Sequence, residues 1–209
     1  MNYSGENMAL KNVIIDPGHG GTDSGAVSGT GPNMVKEAVL TRQIAKYLLD
    51  SLNKEGKVNA VSSFEIGKQD INSYWGVNER RTALSKYALN NPIDYIISIH
   101  INSSTASNSS GLVVCHNDRL ADATVMYDTM VAYAGEKGYD LIGNRQEREQ
   151  PATMLALLRV RAKDQTFVPA LLVENGFISN SGDRSNETCD PEVFGEGIKR
   201  ALYKIFKIE

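Results

Sequence analysis

The stretch Asn12-Val13-Ile14-Ile15-Asp16-Pro17-Gly18-His19-Gly20-Gly21 runs from β-branched apolar residues straight into a glycine-bracketed histidine. Val13, Ile14 and Ile15 have the composition and length of a buried strand, and the Pro-Gly and Gly-Gly pairs forbid its continuation. His19 is thereby held at the end of a strand. Taken alone it reads as an ordinary turn residue, since histidine is common at protein surfaces. A chemical role for it has to come from the rest of the chain.

Working outward, the same kind of apolar run recurs. Residues 58–66 read as a second strand. Residues 93–102 form the strongest one, with Ile97, Ile99 and Ile101 alternating with Ser98, His100 and Asn102, which puts three polar side chains on one face. A short strand over 112–115 ends at His116, and a last one over 167–176 is apolar until Glu174, with Gly176 letting the chain turn behind it. Between the strands the period becomes helical. One helix runs from about Pro32 or Met34 to Lys54, with Leu40, Ile44 and Leu48 in its stripe and Gly56 as its stop; another covers 77–89 and ends at Asn90-Asn91-Pro92. Further helices are expected over 121–136 and 152–162, and a final one runs to about Lys207 with Asp190 as N-cap and Pro191 in its first turn. Residues 22–33, 144–150 and 179–190 read as polar loops.

Strands separated by helices imply an α/β layer fold. The expectation is a single domain over 1–209, with its core at about 11–208. It should hold a twisted, mostly parallel sheet of about five or six strands, flanked by helices on both faces. The 209 residues are 41% hydrophobic and 22% charged with a net charge of −3, which is globular composition and points to neither nucleic acid nor an anionic membrane as partner. No apolar run reaches the length of a membrane span. Cys115 and Cys189 lie far apart and are expected as reduced thiols. The first residues lack a basic region followed by an apolar one, so no secretory signal peptide is expected and synthesis is assigned to the cytoplasm.

Glu37 falls on the inward stripe of the first helix, three residues before Leu40. Two readings stand: a first-turn acid favoured by the helix dipole and reaching out to water, or a buried carboxylate with a cation as partner. Arg80 and Arg81 are expected to be solvated or paired at the surface, and no chemistry is assigned to them. His116 is expected half-exposed on an edge strand.

Open parallel sheets bind ligands beyond the carboxyl ends of their strands. His19, His100 and Glu174 each lie at the end of a different strand, and Glu37 opens the helix after the first one, so all four can converge on one sheet edge. Two histidines and one carboxylate are a standard ligand set for catalytic zinc, with a second carboxylate as proton carrier. Glu174 is the candidate for that second role, because Glu37 has the helical position that reaches an ion from the side. Spacing alone leaves a phosphate-binding loop at 18–25 as an alternative, although the Gly-Lys-Ser/Thr ending is missing and so is the metal motif H-E-x-x-H.

Four segments carry a more specific signal: Ile15-Asp16-Pro17-Gly18-His19-Gly20-Gly21, Lys36-Glu37-Ala38, Ser98-Ile99-His100-Ile101-Asn102, and the run from Pro169 through Glu174-Asn175-Gly176-Phe177 to Asn180. In this order they resemble the motif blocks of the type 3 family of zinc-dependent N-acetylmuramoyl-L-alanine amidases, and they span nearly the whole chain. The resemblance implies Zn2+ held by His19, Glu37 and His100, with Glu174 as catalytic acid/base. It implies as substrate the amide joining N-acetylmuramic acid to L-alanine in peptidoglycan, and action at the bacterial cell wall. The absence of a visible leader favours an endolysin-type enzyme; a non-catalytic wall-binding module with the same fold is the alternative. Residues 144–166 and the loop after Asn180, with Gly182, Asp183 and Arg184, depart from the family pattern. The glycines around His19 are expected to leave room for a bulky substrate.

Overall fold

Val13, Ile14 and Ile15 form the middle of strand β1 (Lys11–Pro17) and are all buried, as a strand covered on both faces requires. The computed structural model describes residues 10–106, 108–143, 149–151 and 155–208. β1 pairs in parallel with β4 (Val58–Ser62) on one side and β5 (Tyr95–Asn102) on the other, and β5 pairs in parallel with β8 (Ala170–Phe177). Beyond β8 the direction reverses. β6 (Val113–His116) runs antiparallel to β8 and carries β7 (Glu149–Pro151) parallel to itself on the outside. The six-stranded order is therefore β4-β1-β5-β8-β6-β7, mostly parallel as expected. A separate hairpin pairs β2 (Val27–Ser28) with β3 (Val35–Lys36).

Strand alternation sorts the core into two layers. Val13, Ile15, Ile97, Ile99 and Val173 face α1 (Glu37–Glu55), α4 (Leu120–Glu136) and α6 (Pro191–Phe206). Ile14, Ile96 and Leu172 face the other way, toward Leu84 of α3 (Val77–Ala88) and Leu157 and Leu158 of a 3-10 turn (Ala156–Arg159). The three central strands β1, β5 and β8 thus bury both faces, and their carboxyl ends share one edge.

Several local expectations are corrected. The first helix starts at Glu37, because Val35 and Lys36 are drawn into the hairpin and the Glu37 N–H donates to the Ala26 carbonyl at 2.9 Å. The second strand stops at Ser62, whose hydroxyl accepts from the Phe64 N–H and caps the short helix α2 (Ser63–Ile66). The polar stretch after Asn180 is helix α5 (Ser181–Cys189), nucleated by the Asn180 side chain accepting from the N–H groups of Gly182 and Asp183. Asp190 does precede α6, but its carboxylate accepts from the Tyr139 hydroxyl instead of capping. Of the helix expected over 152–162 the described part holds only the 3-10 turn. Of the loop expected over 144–150, residues 144–148 lie outside the described residues and Glu149 and Gln150 belong to β7. His116 is 6% exposed, since β6 is covered by β7 and is not an edge strand. Cys115 is buried and not in a disulfide, and the side chain of Cys189 lies outside the described residues.

Candidate metal centre

Glu37 is 4% exposed, although it is the first residue of its helix. Its inward position is fixed by two backbone donors: the Ala26 N–H to Oε2 at 2.9 Å and the Ile101 N–H to Oε1 at 3.0 Å. The same Oε1 lies 3.1 Å from His19 Nε2 and 3.0 Å from His100 Nδ1. Among the described residues, His19, Glu37 and His100 are the one group of three or more His, Cys, Asp or Glu side chains placed to share a metal ion. Their donor atoms all lie within 4.8 Å of one another.

The fourth residue, Glu174, sits on β8 directly opposite His100 in the ladder. Cross-strand partners project to the same face of a sheet, so Glu174 borders the three-residue cluster without being part of it. Immediately afterwards the register shifts, His100 pairing with Glu174 but Asn102 with Phe177. The bulge places the buried Asn175 so that its Nδ2 donates to the His100 carbonyl at 3.1 Å.

The electrostatics of the cluster favour a cation. His19 Nδ1 donates to Asp23 at 2.9 Å, which fixes the ring with Nε2 toward Glu37. An imidazole lone pair and a carboxylate oxygen both accept, so a contact at 3.1 Å between them requires a proton or a metal ion in between. Burial works against charge on the His19 ring, but the Glu37 carboxylate and then Asp23 outweigh it and raise the ring to about 9. Burial likewise opposes ionisation of Glu37, and hydrogen bonds from His100 and His19 overcome it, holding the carboxyl well below the usual range. The three donors, their backbone supports and the carboxylate behind His19 fit a divalent ion of the kind bound by mixed nitrogen and oxygen ligands.

Sequence reasoning missed the frame that holds His19. The residue has φ +62°, a left-handed conformation costly for a side-chain-bearing residue. Arg42 spans the loop: its Nη2 donates to the His19 carbonyl at 2.7 Å, Nη1 to Gly18 at 3.2 Å and Ala38 at 2.8 Å, and Nε to Ile71 at 2.7 Å. Arg80 donates to the Pro17 carbonyl at 3.0 Å. Far from being solvated, Arg80 is 3% exposed and lies 3.6 Å from the fully buried Asp16, which also accepts from Ser63 and Ser98. Three consecutive carbonyls, 17 to 19, are therefore held by two guanidinium groups. Neither arginine had a sequence signal beyond its helix, whereas Asp23, four residues after His19, offered one.

The glycines make room for neighbouring groups of the protein itself. A methyl on Gly18 would overlap the His100 ring, one on Gly20 the Arg42 guanidinium, and one on Gly25 would come within 2.6 Å of Glu37 Oε2. Nor does the glycine stretch open a helix. It leads through a Gly20–Asp23 bridge to β2, so the phosphate-loop alternative lacks the helix N-terminus on which it depends.

Two imidazoles and a carboxylate at the carboxyl edge of an α/β sheet are the donor set and location of a metal-dependent hydrolase. Residues 13–202 match the N-acetylmuramoyl-L-alanine amidase family, and the chain belongs to it. It is 31% identical over 199 residues to a probable cell wall amidase LytH of Staphylococcus epidermidis, covering 94% of this chain and 58% of that protein. It is 32% identical over 177 residues to the LytH of Staphylococcus aureus, covering 84% of this chain and 50% of the other. The chain thus spans about half the length of these relatives. Its fold is that of the catalytic domain of CwlV, an N-acetylmuramoyl-L-alanine amidase from Bacillus (Paenibacillus) polymyxa var. colistinus. The TM-score is 0.74 at 24% identity, covering 96% of this chain and all (100%) of that one.

Proposed function

We propose that this chain is a zinc-dependent N-acetylmuramoyl-L-alanine amidase acting at the bacterial cell wall, where it hydrolyses the amide between N-acetylmuramic acid and L-alanine of peptidoglycan. The observation that carries the reading is the convergence of His19, Glu37 and His100 with Glu174 opposite His100 in the ladder. Family membership and the relatives called cell wall amidases support it.

In this reading His19, Glu37 and His100 would hold the ion. Zinc held there would supply Lewis-acid chemistry, polarising the amide carbonyl and making a nearby water more acidic. The chain's own residues do the rest. Asp23 keeps the His19 lone pair on the ion's side by accepting from Nδ1, and the Ala26 and Ile101 N–H groups keep Glu37 ionised and aimed. Glu174 takes a proton from the attacking water and returns it to the leaving alanine nitrogen, so one carboxylate serves as base and then acid. Asn175 fixes the backbone between His100 and Glu174, holding the proton carrier at a constant distance from the ligands.

The test is to incubate purified peptidoglycan with the metal-loaded protein, a chelated sample and Glu174→Ala, and to quantify new alanine amino termini and new reducing ends. Amino termini should appear only with the loaded wild type, with no reducing ends. Activity that survives chelation, or reducing ends in place of amino termini, overturns the reading. The same Glu174→Ala sample also tests the alternative of a wall-binding module without catalysis, which requires the wild type to be equally inert.

A further inference from the structure

Away from the metal cluster, the last turns of α3 and the segment around Arg159–Phe167 enclose a cleft of about 500 Å³. Its lining carries four cationic side chains, Arg81 and Lys86 from α3 and Arg159 and Arg161 from the facing segment, and no carboxylate. That is a local excess in a chain whose net charge is −3. Among the described residues Arg81, Lys86 and Arg159 form no ion pair, so no described carboxylate pairs with them. Arg161 is pre-set: it donates to the Gln165 carbonyl and stacks 4.4 Å from the centre of the Phe167 ring, leaving most of its five N–H donors for an acceptor. The cleft continues past Leu89 and Ala162 into a neighbouring depression of about 800 Å³, giving an elongated groove.

We infer that this groove is a second binding site, for a phosphodiester-linked anionic polymer of the cell wall, separate from the site that would hold the scissile amide. The cationic excess lies in the cleft itself, since the neighbouring depression carries Lys163 and Asp164 together; four cations around one open cleft suit a segment of a chain of permanent anions, and guanidinium forks pair with phosphate oxygens. Phe167 is the one aromatic in the cleft lining and Arg161 already covers a face of its ring, so the groove lacks the stacking platforms of a single-stranded nucleic acid site. The distance from the metal cluster follows from α3. Arg80 contacts the His19 loop, while Lys86 and Leu89 lie two turns further along, roughly 10 Å away at 1.5 Å per residue. Occupancy there would hold the enzyme on the wall without blocking the cluster. The inference rests on the wall-amidase reading only for the source of the polymer.

Poly(glycerol phosphate) is the probe, titrated against the full metal-loaded chain at low and physiological salt, with polyglutamate and single-stranded DNA as comparators. The wild type should bind the phosphate polymer in preference to both, more weakly as salt rises. The double variant Arg159→Glu/Arg161→Glu should lose at least tenfold in affinity, and Lys86→Glu, on the opposite wall, should lose in the same direction. Both should cleave soluble phosphate-free muropeptides like the wild type, which also shows that they are folded. Unchanged affinity in the variants, no binding by the wild type, or preference for DNA overturns the proposal. Polymer binding by a wild type that leaves muropeptides intact supports the groove and refutes the amidase reading, so the two failures are distinguishable.

Discussion

Glu187 should make the protein lose stability as pH rises, and replacing it with leucine should abolish that loss. The residue lies on α5, is 0% exposed, and has neither carboxylate oxygen hydrogen-bonded among the described residues. Its Oε1 sits over Gly176, close enough that an added methyl would come to 2.5 Å. Burial first, then the charges of Asp183 and Glu37, push its carboxyl up from 4.5 to about 9. The folded state therefore keeps a proton that the unfolded chain releases. Stability falls by about 1.4 kcal/mol per pH unit between those two values and levels off above them. At pH 7.5 the accumulated cost is about 4 kcal/mol, an upper bound because opening of the structure admits water. Two other shifted groups set the best window for measurement. The depressed Glu37 contributes its full stability above about pH 4.5, and the raised His19 adds a downward slope only above about 6.5. Urea unfolding of chelated protein at pH 5.5 and 6.5 should thus show a loss of about 1.4 kcal/mol in the wild type and almost none in Glu187→Leu. The variant should also be about 2–4 kcal/mol more stable at pH 7.5. An undiminished slope in the variant would show that another group carries the proton.

Three further outcomes follow from the frame around the cluster. Arg42→Met strips charged donors from the carbonyls of Gly18, His19, Ala38 and Ile71; under the proposed function it should weaken metal binding at least tenfold by calorimetric titration, with Arg42→Lys recovering part of the loss. Asp23→Asn keeps the shape but weakens the partner of His19 Nδ1, and competition against a chromogenic chelator should register a loss of about 10–100-fold in metal affinity. Gly18→Ala pushes a methyl into the His100 ring, so metal binding should fall while the far-UV circular dichroism stays unchanged.

The parts of the fold that could be read in the sequence are those where composition and burial agree. β1, β5 and β8 announce themselves through Ile and Val because both of their faces are covered, and the polar residues interrupting them, His100 and Glu174, stand out for the same reason. The stripe of the first helix left Glu37 open between a solvent-reaching first-turn acid and a buried one, and its 4% exposure decides for the buried one. What escaped notice depends on contacts across the chain. α5 looked like a loop because its residues are polar, and its buried face is lined by Asp183 and Glu187, not by apolar side chains. β7 has no strand signal in Glu149-Gln150-Pro151 and exists because β6 offers it a free edge. The pairing of Arg80 with Asp16 joins residues 64 positions apart, and α3 carries no mark that Arg80 lies on the buried side with Leu84 and Ala88.

Under the proposed function, the positions of the three clustered donors would tie metal supply to survival of the protein. Residues 19, 37 and 100 come from the end of β1, the start of α1 and the end of β5, so an ion shared by them grips only the assembled fold and has no equivalent site in the open chain. Ion present at a hundred times its dissociation constant adds about 2.7 kcal/mol to the folded state, and its removal withdraws the same amount. Where metal is scarce, the population of open chains rises about a hundredfold, and with it exposure to proteases. Under the proposed function, loss of the ion would both silence the enzyme and expose it to degradation.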